Sequence, residues 1–309
     1  MANERMSAES VGFEKNVQPV SLIHKVKTLE ALRAAIRAKG PIRSFAFRGY
    51  YVPAKERLDA PRALRTGLEL ACREIDDGTL DYAPAREVAI VREFMRRAHH
   101  YLPDVPGDDN WFEWLALMQH HGAPTRLLDW TYSPSVAVHF ALSHASRQPN
   151  ADLAVWMVNT EWCAKASATV CSAAGKPVTR LRQAQLRRGT EAEASQELLA
   201  NQLPPCVWPI NPFRLNERLT VQRGLFLAPG DVSRPFAENL RALRGHDNER
   251  NVSYFVLPRS ESANLARELS ETNVTDATLF PGLDGFAKSL WTSVRFLDAT
   301  RLKRGFLDL

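Results

Sequence analysis

The order of helical and strand-like patterns is the feature that most constrains the fold. Three segments with helical spacing of apolar residues separate a strand-like stretch at 43–51 from the next one at 126–130. Further strand patterns follow at 152–158, 206–210, 218–222, 225–228 and 252–257. No regular repeat of strand and crossover helix connects them, which disfavours a doubly wound parallel sheet. We therefore predict a single α+β domain with a mixed β-sheet and helical insertions.

The ends of this domain follow from the polarity of the chain. Residues 1–25 are polar with mixed charge and lack the apolar run of a signal peptide, so we expect a flexible start followed by one domain over 26–309. No 18 apolar residues run uninterrupted, which predicts no membrane span and a cytoplasmic location. Four cysteines without a C-x-x-C pair indicate buried free thiols rather than a disulfide framework.

The charge balance is basic. The formal net charge is +5 and the pI about 9.1, which suits an anionic partner such as a nucleotide or a nucleic acid, although a solvated basic surface gives the same number. The sequence shows no zinc-finger spacing, RNA-recognition aromatic motif or Gly-rich phosphate loop. The charge therefore leaves a nucleotide ligand, weak nucleic-acid contact and a solvated surface as the alternatives.

The segment 119–131 is rich in hydrogen-bonding side chains between apolar flanks. Asp129 stands between Leu128 and Trp130, so we expect it to be partly buried. An unpaired buried carboxylate costs roughly 3–5 kcal/mol, and Arg126 or Arg48 is the natural partner. The pair either holds the loop as a structural ion pair or contacts a ligand directly.

Two adjacent histidines, His120 and His121, raise the question of a metal. Neighbouring side chains on a helix diverge by about 100°, so one ion rarely takes both. No second ligand cluster lies nearby in the sequence, and we predict no metal site. Each histidine either points into a cleft as a ligand donor or is satisfied within the structure.

Arg48 is the strongest anion-binding signal. It follows the apolar run 45–47 at the end of a predicted strand, where a guanidinium is costly unless an anion meets it. Its planar fork fits phosphate or carboxylate in a bidentate manner, and Gly49 would let a flat ligand approach the backbone closely. A salt bridge to Asp129 or Glu217 is the alternative.

A later strand pattern offers further candidates. On a strand over 218–222, Glu217 would share a face with Leu219 and Val221, whereas Gln222 would lie on the other face and present its amide to a cleft. An edge-strand glutamine in water is the alternative for Gln222. The sequence has no G-x-S-x-G, H-E-x-x-H or Cys-His signature, so serine-hydrolase and metalloprotease chemistry lack support.

The chain resembles the FRG-domain family of bacteria and phages, named for its Phe-Arg-Gly triplet. The matches are Phe47-Arg48-Gly49, the motif at 119–131, Ser133-Pro134 with 137–141, and weaker stretches at 218–226 and 279–285. They span about 43–290. Tyr50 departs from the polar residue, such as Gln, that the family often has there.

A looser resemblance links the chain to ADP-ribosyltransferases. Arg48-Gly49, then Thr131 to Ser133 with a following helix, then Glu217 or Gln222 occur in the order of that fold. The resemblance implies a split mixed sheet, NAD as the substrate, and ADP-ribosyl transfer to an unidentified protein or nucleic-acid acceptor by a toxin or phage-defence effector.

The same resemblance implies roles for individual residues. Arg48 would hold the pyrophosphate or the nicotinamide ribose, and Gly49 would pair with the nicotinamide amide. Glu217 or Gln222 would stabilise an oxocarbenium-like transition state. The implied binding residues are Gly49, Tyr51, Gln119, His120, His121, Gly122, Thr125, Arg126, Asp129, Thr131 and Ser133. A non-catalytic nucleotide-binding or interaction module, and a hydrolase of an anionic substrate, are the competing hypotheses.

Overall fold

The computed structural model describes residues 23–52, 62–75, 78–146, 148, 150–176, 178–184, 191–200, 203–212 and 217–296. Its strands are β1 (Ile23–Lys25), β2 (Phe45–Val52), β3 (Leu128–Thr131), β4 (Asp152–Asn159), β5 (Val207–Ile210), β6 (Gly224–Pro229) and β7 (Val252–Leu257). Its helices are α1 (Leu29–Arg37), α2 (Gly67–Arg73), α3 (Ala83–Ala98), α4 (Trp111–His120), α5 (Pro134–Ala145), α6 (Thr160–Ala173), α7 (Thr179–Ala184), α8 (Glu191–Ala200), α9 (Glu217–Val221), α10 (Phe236–Arg241), α11 (Ser262–Glu271), α12 (Asp276–Leu279) and α13 (Leu283–Phe296). Short 3-10 turns cover Ile42–Ser44, Arg62–Leu64 and Arg259–Glu261.

The strands form one seven-stranded sheet in the order β1-β7-β4-β2-β3-β6-β5. The β1–β7 pair is parallel and the other neighbours are antiparallel, so the sheet is mixed. Between β2 and β3 the chain forms α2, α3 and α4. The predicted single α+β domain with a mixed sheet and helices inserted after the first predicted strand is thus confirmed.

Helix starts follow the capping residues in the sequence. Thr28, Asn110 and Ser133 each accept a hydrogen bond from a backbone N–H in the first turn of α1, α4 and α5. In α5 the cap is followed by Pro134, whose missing N–H costs nothing at the first helical position. Each of these helices therefore begins directly after a residue whose side chain caps it.

The core lies on both faces of the sheet. Strand β2 shows the alternation: Phe45 and Phe47 pack with α1, α5 and α11 on one face, whereas Ala46 belongs to the cluster on the other. Helix α5 therefore lies directly against β2, on the face opposite the Arg48 position.

The predicted strand over 218–222 is wrong, because this segment forms the short helix α9. Leu219 and Gln222 are both buried and lie three residues apart, which is helical spacing. Val221, expected on the face of Leu219, is 39% exposed. The alternation of residue types over 218–222 therefore reflects a short helix with one face turned to the core, and not a β-strand.

Two further expectations concern the N-terminus and the cysteines. Residues 23–25, which we included in the flexible start, pair with β7 as β1, and residues 1–22 lie outside the described part of the chain. The four cysteines are free and buried, as predicted, and the Sγ atoms of Cys171 and Cys206 lie 3.7 Å apart.

Among the helices of the described residues, none has the length and apolar character needed to span a bilayer.

Candidate functional site

Strands β2 and β3 separate almost as soon as they meet. In the described residues they share the single pair Phe47↔Thr131, whereas β2 pairs with β4 along its whole length. A cavity of about 320 Å³ opens at this separation. Its walls come from β2, β3, α5, the α9 segment, the first residue of β6 and the residue after α12, so six separate segments converge on one space.

Arg48 reaches from β2 across the gap. Its Nε donates to the main-chain oxygen of Ala63 and its Nη1 to the main-chain oxygen of Asp129, both at 2.6 Å. Burial lowers the pKa of the guanidinium, and the nearby Asp129 charge opposes that shift. Within the described residues no carboxylate forms an ion pair with Arg48. Neither predicted salt bridge is present, and Nη2 takes no part in the two carbonyl bonds.

The Asp129 side chain is exposed at the cavity, so the expectation of a partly buried carboxylate is wrong. Leu128 and Trp130 face the core, and the pleat therefore directs Asp129 away from it. Its Oδ2 accepts a hydrogen bond of 2.8 Å from Gln119 Nε2. Thr125 Oγ1 donates to Gln119 Oε1 at 2.6 Å, which fixes the orientation of that amide. An amide thus holds Asp129, where we had expected an arginine.

Gln222 and Thr131 link the far wall to the sheet. Gln222 is buried, and its Nε2 donates to the main-chain oxygen of Leu279 at 2.9 Å. Its own main-chain oxygen accepts from Thr131 Oγ1 at 2.7 Å. Thr131 Oγ1 also accepts from the Ser133 N–H. Both residues line the cavity, but their hydrogen bonds connect the α9 segment with β3 and with the end of α12.

An aromatic pair forms one side of the cavity. The rings of Phe140 and Phe280 pack edge to face with centroids 6.1 Å apart. The Arg218 guanidinium lies 5.0 Å from the Phe280 ring centroid, within cation–π range. The cavity therefore combines an apolar aromatic surface with the cations Arg48 and Arg218 and the carboxylate of Asp129.

Comparison with known families adds one finding to this geometry. Residues 43–150 match the family model of the FRG domain. The chain contains an FRG domain. No curated protein and no solved structure matches the chain. The matched segment runs from the start of β2 past the end of α5, so it supplies Arg48, Asp129 and Phe140, whereas Arg218 and Phe280 come from outside it.

Gly49 of the FRG triplet lies directly against the backbone of helix α5. An added Cβ would lie 1.6 Å from the carbonyl oxygen of Ala137 in α5. The space beside Gly49 is therefore occupied by helix backbone, and the glycine is needed for close helix–strand packing. Gly49 also lines the cavity, and the contact of its backbone with a flat ligand stays a prediction.

Arg126 lies away from the cavity, within the core of the FRG domain. It is 4% exposed, and its Nε donates to Glu87 Oε1 at 2.7 Å while Nη2 contacts Glu87 Oε2. Its Nη1 donates to the main-chain oxygen of Pro229. Arg126 is thus a structural partner of α3 and is not the partner of Asp129.

The histidine pair lies at the end of α4, and neither ring lines the cavity. Both side chains are exposed, with ring centroids 4.9 Å apart. Partial burial lowers the pKa of His120, and the nearby charges of His121 and Arg218 lower it further by smaller amounts. Gly122 ends the helix with φ of 80°, which favours glycine. Across the described residues, no three His, Cys, Asp or Glu side chains group in a way that could hold a metal.

Three other predicted residues also lie outside this cavity. Glu217 is exposed at the start of α9. Tyr51 stacks on Tyr50 with ring centroids 4.7 Å apart. Ser133 caps α5 and lines a second cavity instead. The structure thus brings together Arg48, Gly49, Asp129, Thr131 and Gln222, and Gln119 joins them through Asp129.

Sequence reasoning missed Ser143 and His144, which line the cavity from α5. They stand three and four residues after Phe140, so all three share one face of the helix. That spacing was visible in the sequence. The resemblance to the FRG family in this helix extends only to residue 141, so it does not mark these two residues.

Proposed function

We propose that the cavity between β2 and β3 binds NAD as a substrate and that the chain transfers ADP-ribose from it to an acceptor. The observation that carries this proposal is the convergence of Arg48, Asp129 and the Phe140–Phe280 pair at a split in a mixed sheet. The architecture is in this respect similar to the split sheet expected of an ADP-ribosyltransferase. The acceptor is a protein or a nucleic acid.

The size of the cavity supports one half of the dinucleotide as its occupant. Pockets for small molecules measure about 300–1,000 Å³, and the volume here, about 320 Å³, lies at the lower end. We infer that the nicotinamide ribose half enters the cavity. The adenosine half then extends toward the opening.

The charged and aromatic walls suit different parts of NAD. The Nη2 of Arg48, unused by its two carbonyl bonds, is the donor for a phosphate oxygen. Phe140 and Phe280 provide an apolar surface for the nicotinamide ring. Arg218, over the face of Phe280, adds a second positive charge for the pyrophosphate.

The chemical step breaks the bond between the ribose C1′ and the nicotinamide nitrogen. The electron pair of that bond leaves with nicotinamide, and an acceptor nucleophile bonds to C1′ and releases its proton to solvent. Positive charge develops on the ribose, so a fixed carboxylate nearby lowers the barrier. Among the described residues that line the cavity, Asp129 is the carboxylate, and we assign this role to it in place of Glu217 or Gln222.

A non-catalytic nucleotide-binding module is the second candidate, and one observation favours it. Arg48 Nε, Arg48 Nη1 and Gln222 Nε2 all donate to main-chain oxygens, so much of the hydrogen-bonding capacity at the cavity serves the fold. A site built mainly for stability would bind a nucleotide without turning it over.

Incubation of the full chain with NAD, followed by measurement of free nicotinamide and of labelled ADP-ribose on protein or nucleic acid, tests the proposal. Enzyme-dependent nicotinamide release is the expected result. NAD binding without release would support the module instead. If NAD neither binds nor turns over, the proposed transfer is overturned, and so is a module whose nucleotide is NAD.

A further inference from the structure

A second cavity is lined by the residues that directly follow β3. It measures about 430 Å³ and shares no lining residue with the first one. Four arginines line it: Arg33 and Arg37 from α1, Arg43 from the 3-10 turn before β2, and Arg223 from the residue before β6. We propose that this cavity is a binding site for a phosphate dianion, such as the phosphate of a phosphomonoester.

Among the described residues, no carboxylate neutralises these four arginines. No Asp or Glu lines this cavity in the parts of the chain that the structure describes. None of the four arginines forms an ion pair there either. Four like charges around one space repel one another, and a phosphate dianion bound between them relieves this repulsion. Phosphate also fits the planar fork of guanidinium in a bidentate manner.

The first turn of α5 also lines this cavity, through Ser133, Pro134 and Ser135. The Ser133 cap engages the N–H groups of Val136 and Ala137, and it does not use the N–H of Ser135. Ser135 Oγ accepts from Arg33 Nη2 at 2.9 Å, so its hydroxyl proton is available to donate toward the cavity. The start of the 12-residue helix α5 thus adds oriented donors and a positive dipole end to the four guanidinium groups.

The backbone at Arg223 is also unusual. Its φ is 50°, in the left-handed region that glycine and asparagine adopt more readily than arginine. The side chain is exposed and lines the cavity. The backbone at this position would suit Asn better than Arg. The presence of Arg there is consistent with a need for its positive charge at the cavity.

The test measures binding of inorganic phosphate to the full chain by calorimetry at low ionic strength. Arg37→Gln/Arg43→Gln removes two exposed site charges, and we expect it to weaken binding by roughly tenfold or more. Arg180→Gln/Arg250→Gln removes two exposed charges elsewhere, so it should change the affinity by less than about twofold. Equal weakening by both double variants, or no phosphate binding by the wild-type chain, would overturn the proposal.

Two additional measurements sharpen the assignment. Arg223→Asn suits the left-handed backbone, so it should weaken phosphate binding without lowering the melting temperature; unchanged binding would exclude Arg223 from the site and contradict the four-arginine assignment.

Titration of the wild-type chain with AMP, adenosine and phosphate distinguishes an organic phosphomonoester from free phosphate as the ligand. Tighter binding of AMP than of phosphate indicates an organic phosphomonoester as the ligand, and equal affinities indicate free phosphate. Binding of adenosine as tight as that of AMP would contradict recognition of the phosphate group.

This inference does not depend on the proposed NAD site. Filling the first cavity with Ser143→Trp should leave phosphate binding unchanged, because Ser143 does not line the second cavity. Loss of NAD binding with retained phosphate binding separates the two. Loss of phosphate binding in this variant would contradict the independence of the second site.

Discussion

The guanidinium of Arg48 donates a hydrogen bond to the main-chain oxygen of Asp129, across the gap where β2 and β3 stop pairing. One arginine thus connects two strands that share almost no ladder, and a second bond to Ala63 fixes its position. The charged group and the Asp129 carboxylate are consequently held at the same cavity. Preorganised charges of this kind need little rearrangement when a ligand binds.

The packing of α5 on β2 should depend on Gly49. In Gly49→Ala the new methyl would meet the Ala137 carbonyl, so the helix must move outward. Overpacking costs typically 1–3 kcal/mol, and we expect about 3 kcal/mol in the free energy of unfolding by denaturant titration. Gly107→Ala is the matched control, since its Cβ would meet only Asp109 Oδ1 at 3.3 Å, and it should cost less than about 1 kcal/mol. Equal costs would contradict the packing role.

The buried pair of Arg126 and Glu87 should be strongly coupled. Arg126→Met leaves the Glu87 carboxylate buried without its partner, which costs roughly 3–5 kcal/mol. The double variant Arg126→Met/Glu87→Leu removes both charges and should recover most of that loss. A double-mutant cycle by chemical denaturation measures the coupling; additive single losses would show that the pair is independent.

Turnover of NAD should distinguish Asp129 from Glu217. Asp129→Asn keeps an oxygen that can accept from Gln119 but removes the charge, and we expect nicotinamide release to fall roughly 10²-fold. Glu217→Gln removes an exposed charge outside the cavity and should change the rate by less than about twofold. The reverse ranking would return the catalytic role to Glu217.

The segment that carries Phe280 should be sensitive to acid. The hydrogen bond from His139 lowers the pKa of Asp276, against the effect of partial burial. A carboxylate whose pKa is lower in the folded than in the unfolded state stabilises the fold at any pH above the unfolded-state pKa of about 4. This stabilisation is lost as the pH falls from there through the lower folded-state pKa. Asp276→Asn should therefore lower the melting temperature at neutral pH, and the difference from wild type should shrink below about pH 4. A pH-independent difference would rule out this linkage.

Much of the fold can be predicted from local signals in the sequence. Thr28, Asn110 and Ser133-Pro134 mark helix starts because capping is a local interaction between neighbouring residues. Strand β4 is similarly visible as a continuous apolar run. Helix α9 was missed because five residues are too few to distinguish a helical period from an alternating one.

The candidate site was predictable in part. Arg48 and Asp129 were expected to share a cleft, and a main-chain contact of 2.6 Å joins them. The partner of Arg126 was not predictable, because Glu87 lies 39 residues earlier and only the tertiary fold brings it close. Gly49 shows the same limit, since its role depends on the approach of α5, which no local pattern specifies.

The central claim is that the cavity between β2 and β3 binds NAD, and calorimetric titration of Ser143→Trp with NAD tests it most directly. Ser143 is an exposed residue of α5 at the cavity, so an indole there fills the space without entering the core. The account predicts that NAD binds the wild-type chain and the surface control Ser270→Trp equally, and that Ser143→Trp loses binding while its melting temperature is unchanged. Undiminished NAD binding by a folded Ser143→Trp variant, or no binding by the wild-type chain, would contradict it.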